Sequence, residues 1–414
     1  MSKILLIFCC LLVISPAGWA LQAQDDPMVV AVKDNNAFAF DLYQQIAGVN
    51  DGNFVYSPLS VSLALAMTYD GALGTTAENM ATTLHFSLDK AELNQALAML
   101  TAELLKNGNS QDGDIGPERQ LSIANSLWGE QAFPFKPDFV AELQSTYGAG
   151  LELVDFIQAA EDARQMINTW VEDHTNGLIK DIVPPGAVDA MTRLVLVNAI
   201  YFKSNWMNAF NPVLTQDQTF TLLDDSTVDV PMMHLQERLL YAAGENYQAI
   251  SLPYGGGLAM EIYLPNPGEF EAFEASFTPD MLLMLRNSAT FEDVLLTLPK
   301  WKTEADIPLS ELLAGMGMAS AFAPDADFTG MFDTTQTNEN LFISAVLHKA
   351  FISVDENGTE AAAATAIVMR ATSAMPNPAR PVNFVADHPY IYTIVDQNTG
   401  SVLFMGRVMN PSVE

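Results

Sequence analysis

The stretch with the most distinctive chemistry runs from Glu356 to Ser373: Glu-Asn-Gly-Thr-Glu-Ala-Ala-Ala-Ala-Thr-Ala-Ile-Val-Met-Arg-Ala-Thr-Ser. Its Ala-rich half has high helix propensity, yet Gly358 and Thr359 precede it and β-branched Ile367 and Val368 follow. With period two, Thr359, Ala361, Ala363, Thr365, Ile367 and Met369 share one face, and none of them is charged. Glu360 and Arg370 fall on the other face with Ala362, Ala364, Ala366 and Val368. Such a segment can be an exposed loop in one state and a strand of a packed sheet in another. Taken alone, it also reads as an Ala-rich surface helix or a flexible linker.

Enzyme signatures are missing. There is no Gly-x-Ser-x-Gly elbow, no His-Glu-x-x-His, no P-loop and no Gly-x-Gly-x-x-Gly. His85, His174, His234, His348 and His388 are not spaced as metal ligands. His348 lies in an apolar run, where a hydrogen-bonded core histidine is the expected state. Asp325-Ala-Asp327 has the start of a calcium loop, but the remaining ligand positions do not fit. No catalytic role, no metal and no cofactor is expected.

The elements that must carry the Glu356 stretch alternate helix and strand. Phe38, Leu42 and Ile46 give helical spacing over 34–47, and Ser57-Pro58 reads as an N-cap and first helical position before an apolar run to Met67. Helices are predicted over 91–105, 137–147, 159–174, near 280–286 and over 309–318. Strands are predicted over 122–128 and 151–156, and several more between Phe220 and Leu264. Leu194 to Lys203 is a continuous apolar run fit for a fully buried strand. Val294 to Trp301 is another strand, and Ile343 to Val354 feeds directly into Glu356. The C-terminal segment, Pro389 to Val395 and Val402 to Pro411, reads as a hairpin around a glycine turn.

A basic start (Met1-Ser-Lys3), an apolar run (Ile4 to Ile14) and Gly18-Trp-Ala20 make residues 1–20 a secretory signal peptide, too short to span a bilayer. Both cysteines, Cys9 and Cys10, lie in that leader, and Phe8 before Cys9 argues against lipid anchoring. The remaining chain therefore has no disulfide and rests on its core, for which 49% apolar residues suffice. The formal net charge is −32, one unit more acidic once Lys3 leaves with the leader. That balance disfavours nucleic acid or anionic membrane as a partner. Asn107 to Gly116 is the one clear composition dip and reads as a surface loop, so 21–414 is taken as one domain.

Glu356, Gly358, Thr359, Glu360, Ala361, Ala362, Ala363, Ala364 and Thr365 resemble the hinge of the reactive loop of the serpins, the serine protease inhibitor family. Asn53, Ser57, Pro58 and Ser60, the Lys203/Trp206 block, Leu298-Pro-Lys300, His348-Lys-Ala and Phe404-Met-Gly-Arg-Val occur in the family's order. The resemblance runs from about residue 35 to Pro411. It implies an α+β fold: one domain with a large central sheet, two further sheets, surrounding helices and an exposed reactive loop at about 356–381. It further implies a sheet-opening region formed by Asn53, Ser57, Pro58, Ser60, Asn198, His348, Trp206 and Lys300. Lys300 and Glu356 resemble the ion pair at the top of the central sheet; otherwise they are two unrelated surface charges worth under about 1 kcal/mol.

By the same resemblance the protein is a monomeric suicide substrate of serine proteases. The loop is cut, an acyl-enzyme forms, and the freed arm inserts into the central sheet with the protease attached. The alternative is a non-inhibitory carrier or chaperone of the family. The family's usual spacing places the reactive bond at Thr372-Ser373, which suits elastase-like or subtilisin-like proteases. Arg370-Ala371 is the alternative and would attract trypsin-like enzymes, whereas Arg380 is protected by Pro381. A glycan on the sequon Asn357-Gly-Thr359 would obstruct insertion, which points to an exported (extracellular or periplasmic) bacterial protein.

Overall fold

The apolar run from Leu194 becomes a strand with both faces covered. Leu194, Leu196, Ile200 and Phe202 join the main core, while Val195, Val197 and Ala199 pack with Phe156, Ile167 and Val171 of the helix Phe156–His174. Covering both faces is why the run shows no alternation. The computed structural model describes residues 26–106, 119–148, 150–359 and 380–413.

Among these residues the strands, numbered in chain order, form two sheets. A six-stranded sheet contains β2 (Arg119–Glu130), β3 (Leu151–Val154), β4 (Leu194–Asn205), β10 (Trp301–Pro308), β11 (Ala345–Val354) and the two-residue β12 (Gly358–Thr359). Its order is β10-β11-β12-β4-β2-β3. A nine-stranded sheet contains β1 (Phe54–Tyr56), β5 (Gln216–Thr221), β6 (Thr227–Ala243), β7 (Tyr247–Pro253), β8 (Leu258–Pro265), β9 (Thr290–Pro299), β13 (Val382–Val385), β14 (Tyr390–Asp396) and β15 (Val402–Val408). The two further sheets of the family plan are continuous here because β6 is long enough to serve both. It pairs with β5 through Thr227–Met232, with β9 through Met232–Tyr241 and with β7 through Leu240–Ala243.

One register detail positions the site. β11 and β4 pair in parallel from Ala345↔Val195 to Ala350↔Ile200. Beyond that point they part, and β12 lies between them, with Thr359 opposite Val354 on one side and Ser204 on the other. The sheet is closed at its centre and wedged at its top.

The helix Pro58–Gly71 starts as its sequence predicts, with Ser57 Oγ accepting from the Ser60 amide and Pro58 in the first turn. It is buried on nearly every side. The predicted helix over 309–318 is α-helical only for Leu309–Leu313; Ala314–Met318 is a π-type turn broken at Gly317, whose φ of 131° few other residues adopt. The helix Gly74–Thr83, rich in threonine, and β10 escape prediction. In β10 Trp301, Thr303, Ala305 and Ile307 face inward, and two of these four are weak hydrophobic signals. The leader and the loop predicted over 107–116 lie outside the described residues.

Candidate functional site

The residues singled out from the sequence fall into two groups along the β4–β11 seam. In β11 burial alternates strictly, and His348 takes an inward position between Val346 and Ala350. Register places it beside Asn198 of β4, which in turn lies beside Asn125 of β2. Beneath this row comes the start of the helix Pro58–Gly71. The Ser57 amide donates to His348 Nε2 at 3.2 Å, so the ring proton sits on Nδ1 and is donated to Asn198 Oδ1. Asn198 Nδ2 donates to Ser60 Oγ at 2.6 Å and to Asn125 Oδ1 at 2.5 Å. Asn125 Nδ2 returns a bond to the Ser60 carbonyl at 3.1 Å. All five side chains are buried. Burial pushes the His348 imidazole down to about 3, partly opposed by its Asn198 bond, so the ring is neutral.

Asn53 stands apart from this group. Its side chain accepts from the Met409 and Asn410 amides and donates to the Asn410 carbonyl, so it fastens the C-terminal chain and leaves the sheet seam alone. Asn125, by contrast, was not anticipated; a lone amide inside the apolar strand Ser122–Trp128 was the available signal.

The second group lies at the top of the seam. Lys300 Nζ is 2.7 Å from Glu356 Oε2, and Thr215 Oγ1 donates to Glu356 Oε1 at 2.8 Å. Burial works to raise the Glu356 carboxyl, but hydrogen bonds from Lys300, the backbone and Thr215, with the Lys300 charge, hold it below the usual carboxylate range. The turn that follows Glu356 is pinned from both sides. Trp206 donates its amide to the Asn357 carbonyl at 2.8 Å and its indole N–H to the Asp355 carbonyl at 2.9 Å. Asp355 Oδ1 accepts from the Asn357 and Gly358 amides. A Cβ on Gly358 would lie 2.0 Å from the Ser204 carbonyl, so only glycine fits there. Thr359, fully buried, meets Tyr254 Oη at 2.6 Å through its hydroxyl. Tyr254, Thr215 and Asp355 carry no spacing signal that marks them in the sequence.

Hinge residues Glu360 to Thr365 and both candidate reactive bonds, Thr372-Ser373 and Arg370-Ala371, lie outside the described residues. No group of three or more His, Cys, Asp or Glu able to hold a metal occurs among the described residues. Asp327 instead accepts from the Thr329 amide and hydroxyl in a local turn. No described helix is long and apolar enough to cross a membrane.

The family model for serpins, the serine protease inhibitors, matches residues 33–411. The chain belongs to the serpin family. It is 40% identical to an uncharacterised serpin-like protein of Thermococcus kodakarensis, over 94% of this chain and 87% of that one. It is also 40% identical to leukocyte elastase inhibitor of Xenopus laevis, over 90% of this chain and 97% of that one. Among solved structures it is similar to human thyroxine-binding globulin complexed with thyroxine, with TM-score 0.80, 28% identity and coverage of 93% and 99%.

In this serpin the Lys300–Glu356 pair holds the chain just before β12, and its worth can be measured. Glu356→Lys places two cations around the Thr215 hydroxyl and is expected to cost about 1–3 kcal/mol, since Lys300 remains partly solvated. The variant should open early and form polymers on a native gel. The exchange Glu356→Lys with Lys300→Glu should restore the monomer. A single variant that stays monomeric with an unchanged thermal midpoint would show the pair to be incidental.

Proposed function

We propose that this serpin is an irreversible inhibitor of serine proteases and acts by loop cleavage and insertion. The observation that carries this reading is the rung Gly358–Thr359, already paired between β4 and β11 with Thr359 fully buried and uncharged. A strand that has begun to enter the sheet can continue once its far end is cut. About a dozen further ladder bonds, at a net ~1 kcal/mol each, with apolar burial, give a driving force on the order of 10 kcal/mol. At ~3.3 Å per residue the arm would carry an attached protease some 40 Å before deacylation. A carrier role is the second reading, favoured by the likeness to thyroxine-binding globulin. Carriers need no clean hinge, and in this sequence the face shared by Thr359, Ala361, Ala363, Thr365, Ile367 and Met369 carries no charge and is mostly small.

The target class follows from the reactive bond. Thr372 before the cut fits elastase-like or subtilisin-like pockets, and the relative named as leukocyte elastase inhibitor points the same way. The protein is proposed to be secreted, monomeric, cofactor-free and not an enzyme. Incubation with a panel of proteases should give an SDS-stable complex with elastase-like or subtilisin-like enzymes. Mass spectrometry of the released C-terminal peptide should find it starting at Ser373. A peptide starting at Ala371 from a complex with a trypsin-like enzyme would move the bond to Arg370, and no complex with any protease would favour the carrier.

A further inference from the structure

We propose that Tyr254 is a positioning residue that holds the Gly358–Thr359 rung in the mouth of the six-stranded sheet while the loop is uncleaved. The proposal rests on the inhibitory reading above and extends it to a residue outside the hinge, β4 and β11. Tyr254 follows the end of β7 and is fully buried. Its ring has no freedom to swing. One face is stacked on Trp206, with centroids 4.2 Å apart and planes at 13°, and Phe202 meets it edge-on at 5.3 Å. A bridge between the Trp206 and Tyr254 backbones ties the two residues further. The phenol oxygen is thereby delivered to a fixed point, 2.6 Å from Thr359 Oγ1.

Among the described residues neither hydroxyl has another hydrogen-bond partner. Both are out of reach of solvent, so each depends on the other. The same aromatic pair serves both sides of the turn: Trp206 binds the Asp355 and Asn357 carbonyls, and Tyr254 binds the Thr359 hydroxyl. The mouth therefore accepts one pattern, a glycine against Ser204 and then a small residue with a hydroxyl. Pairing the first rung is the costly step of adding a strand, because it orders a chain for a single contact, whereas later rungs extend what exists. Tyr254 moves that step ahead of cleavage and so favours trapping over release of the protease.

Tyr254→Phe keeps the stack and removes the hydroxyl. Amide exchange of Gly358 and Thr359 in the uncleaved protein should then speed up by about two- to tenfold, the span of one net hydrogen bond. With a target protease, the share of cleaved and released inhibitor relative to covalent complex should rise. Tyr254→Phe with Thr359→Val removes both polar groups and should return exchange and partition towards the parent values, which a simple packing defect at Tyr254 would not allow. Unchanged exchange in Tyr254→Phe, or a double variant as fast as the single one, would overturn the proposal. If the parent forms no complex with any protease, the inhibitory reading fails and the exchange rates alone decide the role of Tyr254.

Discussion

Thr359→Arg is expected to give a folded protein that proteases cut without being trapped, as the proposed inhibition by loop insertion requires. Thr359 is fully buried between β4 and β11, with its hydroxyl on Tyr254. A guanidinium there would lose its water without gaining a counter-ion, since Tyr254 and Ser204 offer no negative charge, and burying it would cost several kcal/mol. The rest of the fold does not share that cost. β12 has only two residues, and the Lys300–Glu356 pair and the Trp206 bonds act upstream of it. The rung would stay out of the sheet and the cleaved arm would lack its first step. The yield of SDS-stable complex should fall about tenfold or more, with cleavage continuing. Thr359→Val loses the bond to Tyr254 but adds no charge, so its yield should fall below the parent's and stay well above that of Thr359→Arg. The thermal midpoint gives a second check: cleavage within the loop should raise it markedly in the parent and not in Thr359→Arg. Equal midpoints before and after cleavage of the parent, or an undiminished yield of complex in the variant, would remove loop insertion as the mechanism.

The parts of this site that the sequence announced are those set by local pattern. Ser57-Pro58 states a helix start whatever surrounds it, and β4 is a long apolar run wherever it lies. His348 stood out as a polar residue in an apolar run, and the alternation that turns it inward belongs to the structure. Its partners were less visible, because Asn125 reaches it only through cross-strand register, which depends on how three distant strands align. Tyr254 is harder still. It lies 105 residues from Thr359 in sequence, and any apolar aromatic fits its neighbourhood until the hydroxyl on the other side is known. The family resemblance supplied Lys300 and Glu356 where spacing could not. It also grouped Asn53 with the sheet-opening residues, whereas that side chain is spent on the C-terminal chain.

Acid should destabilise this serpin earlier than its carboxylates alone would dictate, and His348 is the reason. Burial lowers its pKa from an ordinary 6.5 to about 3. The hydrogen-bond pattern works in the same direction: Nε2 already accepts from the Ser57 amide, so an added proton would face another donor. The unfolded chain takes up a proton at this residue as pH falls below 6.5, and the folded chain does not until about 3. Stability contributed by the neutral ring is thus complete above pH 6.5 and is lost on acidification through that window, by about 1.4 kcal/mol per pH unit. Over the whole window the loss approaches about 5 kcal/mol. Between pH 6.5 and about 5, before ordinary carboxylates are protonated, it should amount to about 2 kcal/mol. His348→Gln cannot titrate and can still offer both an acceptor to Ser57 and a donor to Asn198. Denaturant unfolding of the uncleaved protein, in which β11 and β4 are paired at His348 and Asn198, should fall with acidification more steeply in the parent than in the variant, by this slope. The difference between the two profiles cancels the other titrating groups, which both chains share. Parallel profiles would mean that His348 is protonated in the folded state, and the neutral-ring account of the β4–β11 seam would then be wrong.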